Sequence, residues 1–173
     1  DAPTGSPEHV LHLVADGPAA LDAKPALLGP LVRHLVPETL ALFGAWHYDR
    51  YDFLFTLSDH VGHFGLEHHA SSDDRLPERT LLEPSTWLVG AGLLPHEFVH
   101  SWNAKYRRPK GLATGDYHTP MVGDLLWVYE GLTSYLGDVL TARAGLVTEL
   151  QARESLALQA AGLAHTRGRV WRP

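Results

Sequence analysis

The 173-residue chain contains no cysteine. Disulfides and thiolate metal sites are therefore excluded, and any transition metal must be held by histidine and carboxylate ligands. The absence suits oxidising and reducing compartments alike. Positive charge is also scarce: 14 Lys and Arg stand against 20 Asp and Glu, for a formal net charge of −6. A nucleic-acid partner, which calls for a basic excess, is not expected. No apolar run approaches the ~20 residues that cross a bilayer, so no membrane span is expected. Internal repeats and low-complexity tracts are missing too. The chain opens on Asp1 instead of Met, as expected of an excised or processed piece of a longer protein.

What remains is ordinary globular material with one anomaly. Hydrophobic residues make up 45% and charged residues 20%, which suits a single compact domain over residues 1–173. The anomaly is histidine: there are 12, where general usage gives about four at this length. They are scattered along the chain and do not form a tag.

The pattern of residues predicts an α+β fold, with strands first and helices later. His9 to Val14 reads as a short strand. Apolar positions from Leu27 to Phe43 recur at helical spacing, in a helix kinked or split by Pro30 and Pro37. Tyr51 to Leu57, rich in aromatics, is the clearest strand. Gly65 to Ser72 reads as an edge-like strand, and Asp73 to Pro77 as a loop. Helix is expected over 85–103, interrupted at Gly90, Gly92 and Pro95, with Pro95 suited to opening a fresh helix. A long loop follows over 104–123. From Asp124, Leu125, Val128, Leu132, Leu136, Val139 and Leu140 mark an amphipathic helix that Gly145 ends. Thr148 and Gln151 form a capping box for a last helix carrying Leu150, Leu156, Ala160 and Leu163. A basic tail over 166–173 is expected to fray.

His96-Glu97-Phe98-Val99-His100 fits H-E-x-x-H. On a helix, i and i+4 share a face, so both imidazoles can reach one ion. Glu97 flanks that face, within reach of a water activated there, and suits a general base. The same spacing also fits two core histidines on an apolar helix. A catalytic zinc held by two histidines wants a third ligand and an open fourth position. Glu130 is the natural third, on the next helix at the seam between its apolar and polar faces. Gly131 beside it would allow close approach of a neighbouring helix. The bland alternative for Glu130 is a solvated carboxylate. Against that, Trp127, Val128, Tyr129 and Leu132 surround it, and a carboxylate half-buried there without a partner would be costly.

HEFVHSWN at 96–103, Arg108-Pro109, Asp116-Tyr117, Leu126-Trp-Val-Tyr-Glu-Gly-Leu-Thr-Ser-Tyr135 and Arg143-Ala-Gly-Leu146 follow one another in order. Upstream stands Phe64-Gly-Leu-Glu-His68 with Ser71. Together they resemble the glycyl aminopeptidase family of gluzincin metallopeptidases, over about residues 48–146. The resemblance implies a thermolysin-like catalytic domain: a small sheet, an active-site helix, then the helix carrying the glutamate ligand. It implies one Zn2+ on His96, His100 and Glu130, with Glu97 as the catalytic residue. It implies a peptide substrate with a free N-terminus that Glu67 holds, while backbone from Gly65 and Leu66 pairs with the extended peptide. Glu67 could otherwise be a plain surface strand residue.

Two departures stand out. His63 or Phe64 occupies the place of the family's first glycine. The family's transition-state tyrosine also lies well downstream of the third ligand, and is expected beyond Pro173. Ser134, one turn past Glu130, is a candidate hydrogen-bond partner behind the ligand, and Tyr117 a candidate to approach the cleft. Tyr135 reads as core. Lys105, Arg107, Arg108 and Lys110 form a basic cluster, read as a solvated face or a receiver for a substrate carboxylate. The expected function is a zinc-dependent aminopeptidase removing small, glycine-type N-terminal residues. The alternative is a metal-binding but inactive or truncated peptidase-like domain that binds peptides or a partner.

Overall fold

The computed structural model describes residues 6–22, 29, 31 and 33–166. Four strands form one sheet: β1 (Glu8–Ala15), β2 (Arg50–Leu57), β3 (Phe64–Glu67) and β4 (Ser71–Leu76). Their order is β1-β2-β4-β3, with β1 and β4 parallel to β2 and β3 antiparallel to β4. The helices are α1 (Pro18–Leu21), α2 (Leu35–Phe43), α3 (Pro84–Gly90), α4 (Leu93–His100), α5 (Thr133–Arg143) and α6 (Glu149–Ala164). After α4 the segment Ser101–Tyr106 is broken by a kink, non-helical at Asn103 and Ala104, and a π-helical turn over Trp127–Leu132 leads into α5. The fold is thus mixed α+β, a small sheet followed by helices.

Strand alternation places Tyr51, Phe53, Phe55 and Leu57 of β2 on one face, all buried. The opposing face carries the exposed Arg50, Asp52, His12 and Glu8 ion pairs. Phe98 of α4 lands on the aromatic face, against Tyr51 and Phe53 at ring separations of 4.6 and 5.0 Å. This apolar contact anchors the helix that carries the two candidate ligands. Two indoles tie the periphery down: Trp87 Nε1 donates to the Leu146 carbonyl at 2.9 Å, and Trp102 Nε1 to Ala45 at 3.0 Å.

Several expectations need correction. Residues 65–72 are not one strand. The chain turns at His68–Ala70, and Ser71–Leu76, including the segment read as a loop, is β4, an inner strand between β2 and β3. Its acidic residues tolerate this because they divide between the faces. Asp73 points outward, where Arg75 donates to it at 2.6 Å. Ser72 and Asp74 point inward and are completely buried. In the Glu130 region the buried positions are Tyr129, Thr133, Gly137, Leu140 and Thr141, not Leu125, Leu132 or Tyr135, which are exposed. A π-helical turn adds a residue and rotates the face. Close helix contact is made at Gly137, not Gly131: a Cβ there would stand 3.1 Å from the His96 Cα. Pro95 lies within the first turn of α4, which starts two residues earlier.

Other expectations hold. Gly145 closes α5 at a positive φ of 72°. The Thr148–Gln151 capping box is present at the start of α6. Of the helix read over 27–43, α2 covers 35–43, while 23–28, 30 and 32 lie outside the described residues, as does the tail from 167. No helix among the described residues is long and apolar enough to cross a membrane.

Candidate metal centre

His96 and His100 lie one turn apart on α4, and Glu130 reaches them from the π-helical turn that precedes α5. The Nε2 atoms of the two rings are 3.1 Å apart, and each lies 3.4 Å from Glu130 Oε2. An ion with ligand bonds of ~2.0–2.1 Å in tetrahedral geometry separates its ligands by ~3.3 Å. The triangle has that size, and it is the one such His and carboxylate group among the described residues. Two imidazoles and one carboxylate form a donor set suited to zinc, with one vertex left open.

The ring orientations are set from behind. His100 is almost wholly buried, and its Nδ1 lies 3.3 Å from the Asn103 carbonyl oxygen. A carbonyl only accepts, so Nδ1 carries the proton and Nε2 presents its lone pair to the centre. That carbonyl is available because Asn103 leaves helical geometry (φ −92°, ψ 67°). Burial, then the adjacent His100, holds the His96 imidazole below its ordinary pKa, which favours the neutral ring, despite Glu130 nearby.

Asn103 also ties the two ligand-bearing elements together. Its side-chain amide donates to the Val128 carbonyl at 2.7 Å and to Thr133 Oγ1 at 3.0 Å. Thr133 Oγ1 in turn donates to the Tyr129 carbonyl at 2.7 Å. Val128, Tyr129 and Thr133 bracket Glu130, so the network holds the turn that carries this carboxylate. Sequence reasoning did not single out Asn103 or Thr133. Ser134 is exposed on the wall of a cleft shared with His96 and Glu97, without a hydrogen bond to Glu130. Tyr117 is fully exposed in the loop and has no hydrogen bond to a ligand residue.

Glu97 is 5% exposed and lies against β3. A Cβ on Gly65 would stand 2.0 Å from its Oε1, so the side chain occupies the space that glycine leaves. Gly65 pairs with Asp74 across the strands, which puts Asp74 beside the same carboxyl group. Burial, and after it the charge of Asp74, pushes Glu97 up to about 8. Asp74 itself is raised to about 7, chiefly by burial, against the hydrogen bond from Ser72 Oγ at 2.6 Å.

The raised Asp74 gives a pH prediction. A carboxyl group whose folded pKa exceeds its unfolded one stabilises below the unfolded value, and that stability is lost as pH rises through the folded value. In metal-depleted protein the Asp74 contribution should therefore be lost between about pH 4 and 7, and that of Glu97 on up to about pH 8. Asp74→Asn should flatten that fall, matching the parent near pH 4 and exceeding it by roughly a few kcal/mol at pH 8. Thermal unfolding across this range checks it; parallel curves would contradict it.

Glu67 lies at the end of β3, on the edge of the sheet. Burial opposes its ionisation, yet the Tyr129 hydroxyl, its own backbone N–H and Lys105 together bring it down to about 2. Tyr129 donates to Oε1 at 2.5 Å, and Lys105 Nζ lies 3.2 Å from the same oxygen. The fold thus gathers Glu67, Gly65 and Glu97 beside the triangle, while the Leu66 side chain is exposed.

Residues 90–173 match the M61 glycyl aminopeptidase family. Among solved structures, the chain is similar to an aminopeptidase N family protein from Idiomarina loihiensis, at 27% identity and a TM-score of 0.64. That likeness covers 83% of this chain and 25% of the other, so the chain spans about a quarter of the solved protein. No curated protein matches it.

Proposed function

We propose, from the match of residues 90–173 to the M61 glycyl aminopeptidase family of peptidases, that the chain is the metal-bearing part of a zinc-dependent aminopeptidase. In this reading the fold is thermolysin-like, and small N-terminal residues such as glycine are removed. The observation that carries it is the His96, His100 and Glu130 triangle, sized for one tetrahedral ion. His96, His100 and Glu130 would hold the zinc, which when bound supplies Lewis acidity at the scissile carbonyl.

The protein's own residues supply the rest. Glu97 takes a proton from the attacking water and returns it to the amine that leaves as the C–N bond breaks. Burial raises its proton affinity above that of a free carboxylate. The edge strand β3 receives the extended peptide as an added strand through backbone groups of Gly65 and Leu66. Glu67 meets the N-terminal ammonium, which favours a carboxylate partner.

The test compares a glycyl chromogenic substrate and its N-acetylated form, with and without chelator. Hydrolysis of the free-amine substrate alone, lost on chelation and restored by Zn2+, is the expected result. Turnover that survives chelation would defeat the proposal. Equal cleavage of the acetylated form would remove the role of Glu67. Stoichiometric zinc without turnover would favour the alternative, a metal-binding domain that does not turn over.

A further inference from the structure

The basic cluster Lys105, Arg107, Arg108 and Lys110 divides in space. Arg107 and Arg108 lie over the rings of Tyr106 and Tyr129, and Arg108 Nε donates to the Ala104 carbonyl at 3.1 Å. Among the described residues, Lys105 is the one member of the four in an ion pair. Its side chain, largely covered, turns inward to Glu67, whose carboxylate is equally covered. The ammonium is also close enough to Glu97 to draw that carboxyl down against its neighbours. A largely buried carboxylate with only a phenol and its own backbone N–H for partners would be poorly compensated. Lys105 supplies the missing charge.

This arrangement bears on the reading of Glu67 as the amine anchor, on which the inference rests. An ammonium already sits on Glu67 Oε1. A second one, at a substrate N-terminus, would meet a carboxylate largely neutralised and a like charge beside it. We propose that Lys105 is a specificity-determining residue whose ammonium occupies the place of the substrate's N-terminal amine and must leave before a free-amine peptide binds. The exchange swaps one ammonium for another, so Glu67 keeps a cationic partner throughout. A lysine suits this role, because its compact charge rides on a flexible stem that can swing to water.

An occupied site weakens apparent affinity by the fraction of time it is free. Removing the competing charge should therefore tighten binding of free amines and leave blocked peptides unaffected. Metal-depleted 173-residue protein is titrated calorimetrically with triglycine amide and with its N-acetyl form. The parent, Lys105→Met, Lys105→Arg and Glu67→Gln are compared, each checked for cooperative thermal unfolding. Lys105→Met is expected to bind triglycine amide about tenfold more tightly than the parent. Lys105→Arg should bind no better than the parent, and the acetylated peptide should bind all four alike. Unchanged or weaker binding of the free amine by Lys105→Met overturns the proposal. If Glu67→Gln abolishes the preference for the free amine while Lys105→Met changes nothing, only the role of Lys105 fails. If Glu67→Gln leaves the preference intact, the amine-anchor reading itself fails.

Discussion

Glu97→Gln is expected to lower kcat/KM on a glycyl substrate by about 10²–10⁴-fold, the range for loss of a general acid–base group, while one equivalent of metal stays bound. Glutamine keeps the shape that fits against Gly65, where even a Cβ would collide with this side chain. What it removes is the proton acceptor. Glu97 is not part of the His96, His100 and Glu130 triangle, so the ligand set is untouched. The substitution also removes a buried carboxyl that is protonated in the folded chain and ionised in the unfolded one, and thermal stability near neutral pH should rise. Steady-state kinetics, metal analysis and thermal unfolding on the same sample read the three effects. Activity within a few fold of the parent would contradict the assignment of Glu97 as base.

The second large effect is expected at Asn103, which touches none of the three ligand atoms in the triangle. Asn103→Asp keeps side-chain volume but replaces the donating amide by an acceptor. It then faces the Val128 carbonyl across 2.7 Å and Thr133 Oγ1 across 3.0 Å. The turn that carries Glu130 loses its tie to the histidine helix. Zn2+ affinity should fall about 10–100-fold, the usual consequence of removing a group that orients a ligand. The far-UV spectrum should be retained. Cobalt substitution adds a readout that packing alone would not move: the visible spectrum should shift towards that of Glu130→Gln. Thr133→Val should reproduce part of the loss, and the double variant should lose less than the two added together, because both act on one network. Unchanged affinity in Asn103→Asp would remove the positioning role.

These two positions mark how far the sequence alone could be read. Glu97 and the histidines were visible because helical periodicity is fixed, so i and i+4 must share a face. Glu130 was visible from the resemblance, while the burial expected of it does not hold: its side chain is exposed, as are Trp127 and Leu132 beside it. Strands β1 and β2 were visible from their alternation and aromatic content. Asn103 and Thr133 were not, because their roles depend on a kink after α4 and a π-helical turn before α5. The first turns the Asn103 carbonyl towards His100. The second rotates the Glu130 element, so that Thr133 faces inward where regular spacing favoured Ser134. Strand β4 was missed because Ser71–Leu76 lacks the apolar residues of an inner strand. The hairpin with β3 and the pairing with β2 impose the strand, and helix packing buries Asp74. Lys105 was read as part of a solvated face, since nothing in four neighbouring cations shows which one turns inward. The last helix was legible by its cap but not by its packing. None of its residues is buried, and Leu150, Leu156, Leu158 and Leu163 are all exposed.

The central claim is that His96, His100 and Glu130 together hold one ion. Its most direct test is a competitive Zn2+ titration of the metal-depleted protein against a chromophoric chelator, repeated on His96→Ala, His100→Ala and Glu130→Ala. The account predicts one tight equivalent in the parent and loss of that equivalent in each variant. Absence of a stoichiometric site in the parent, or a site that survives all three substitutions, would contradict it.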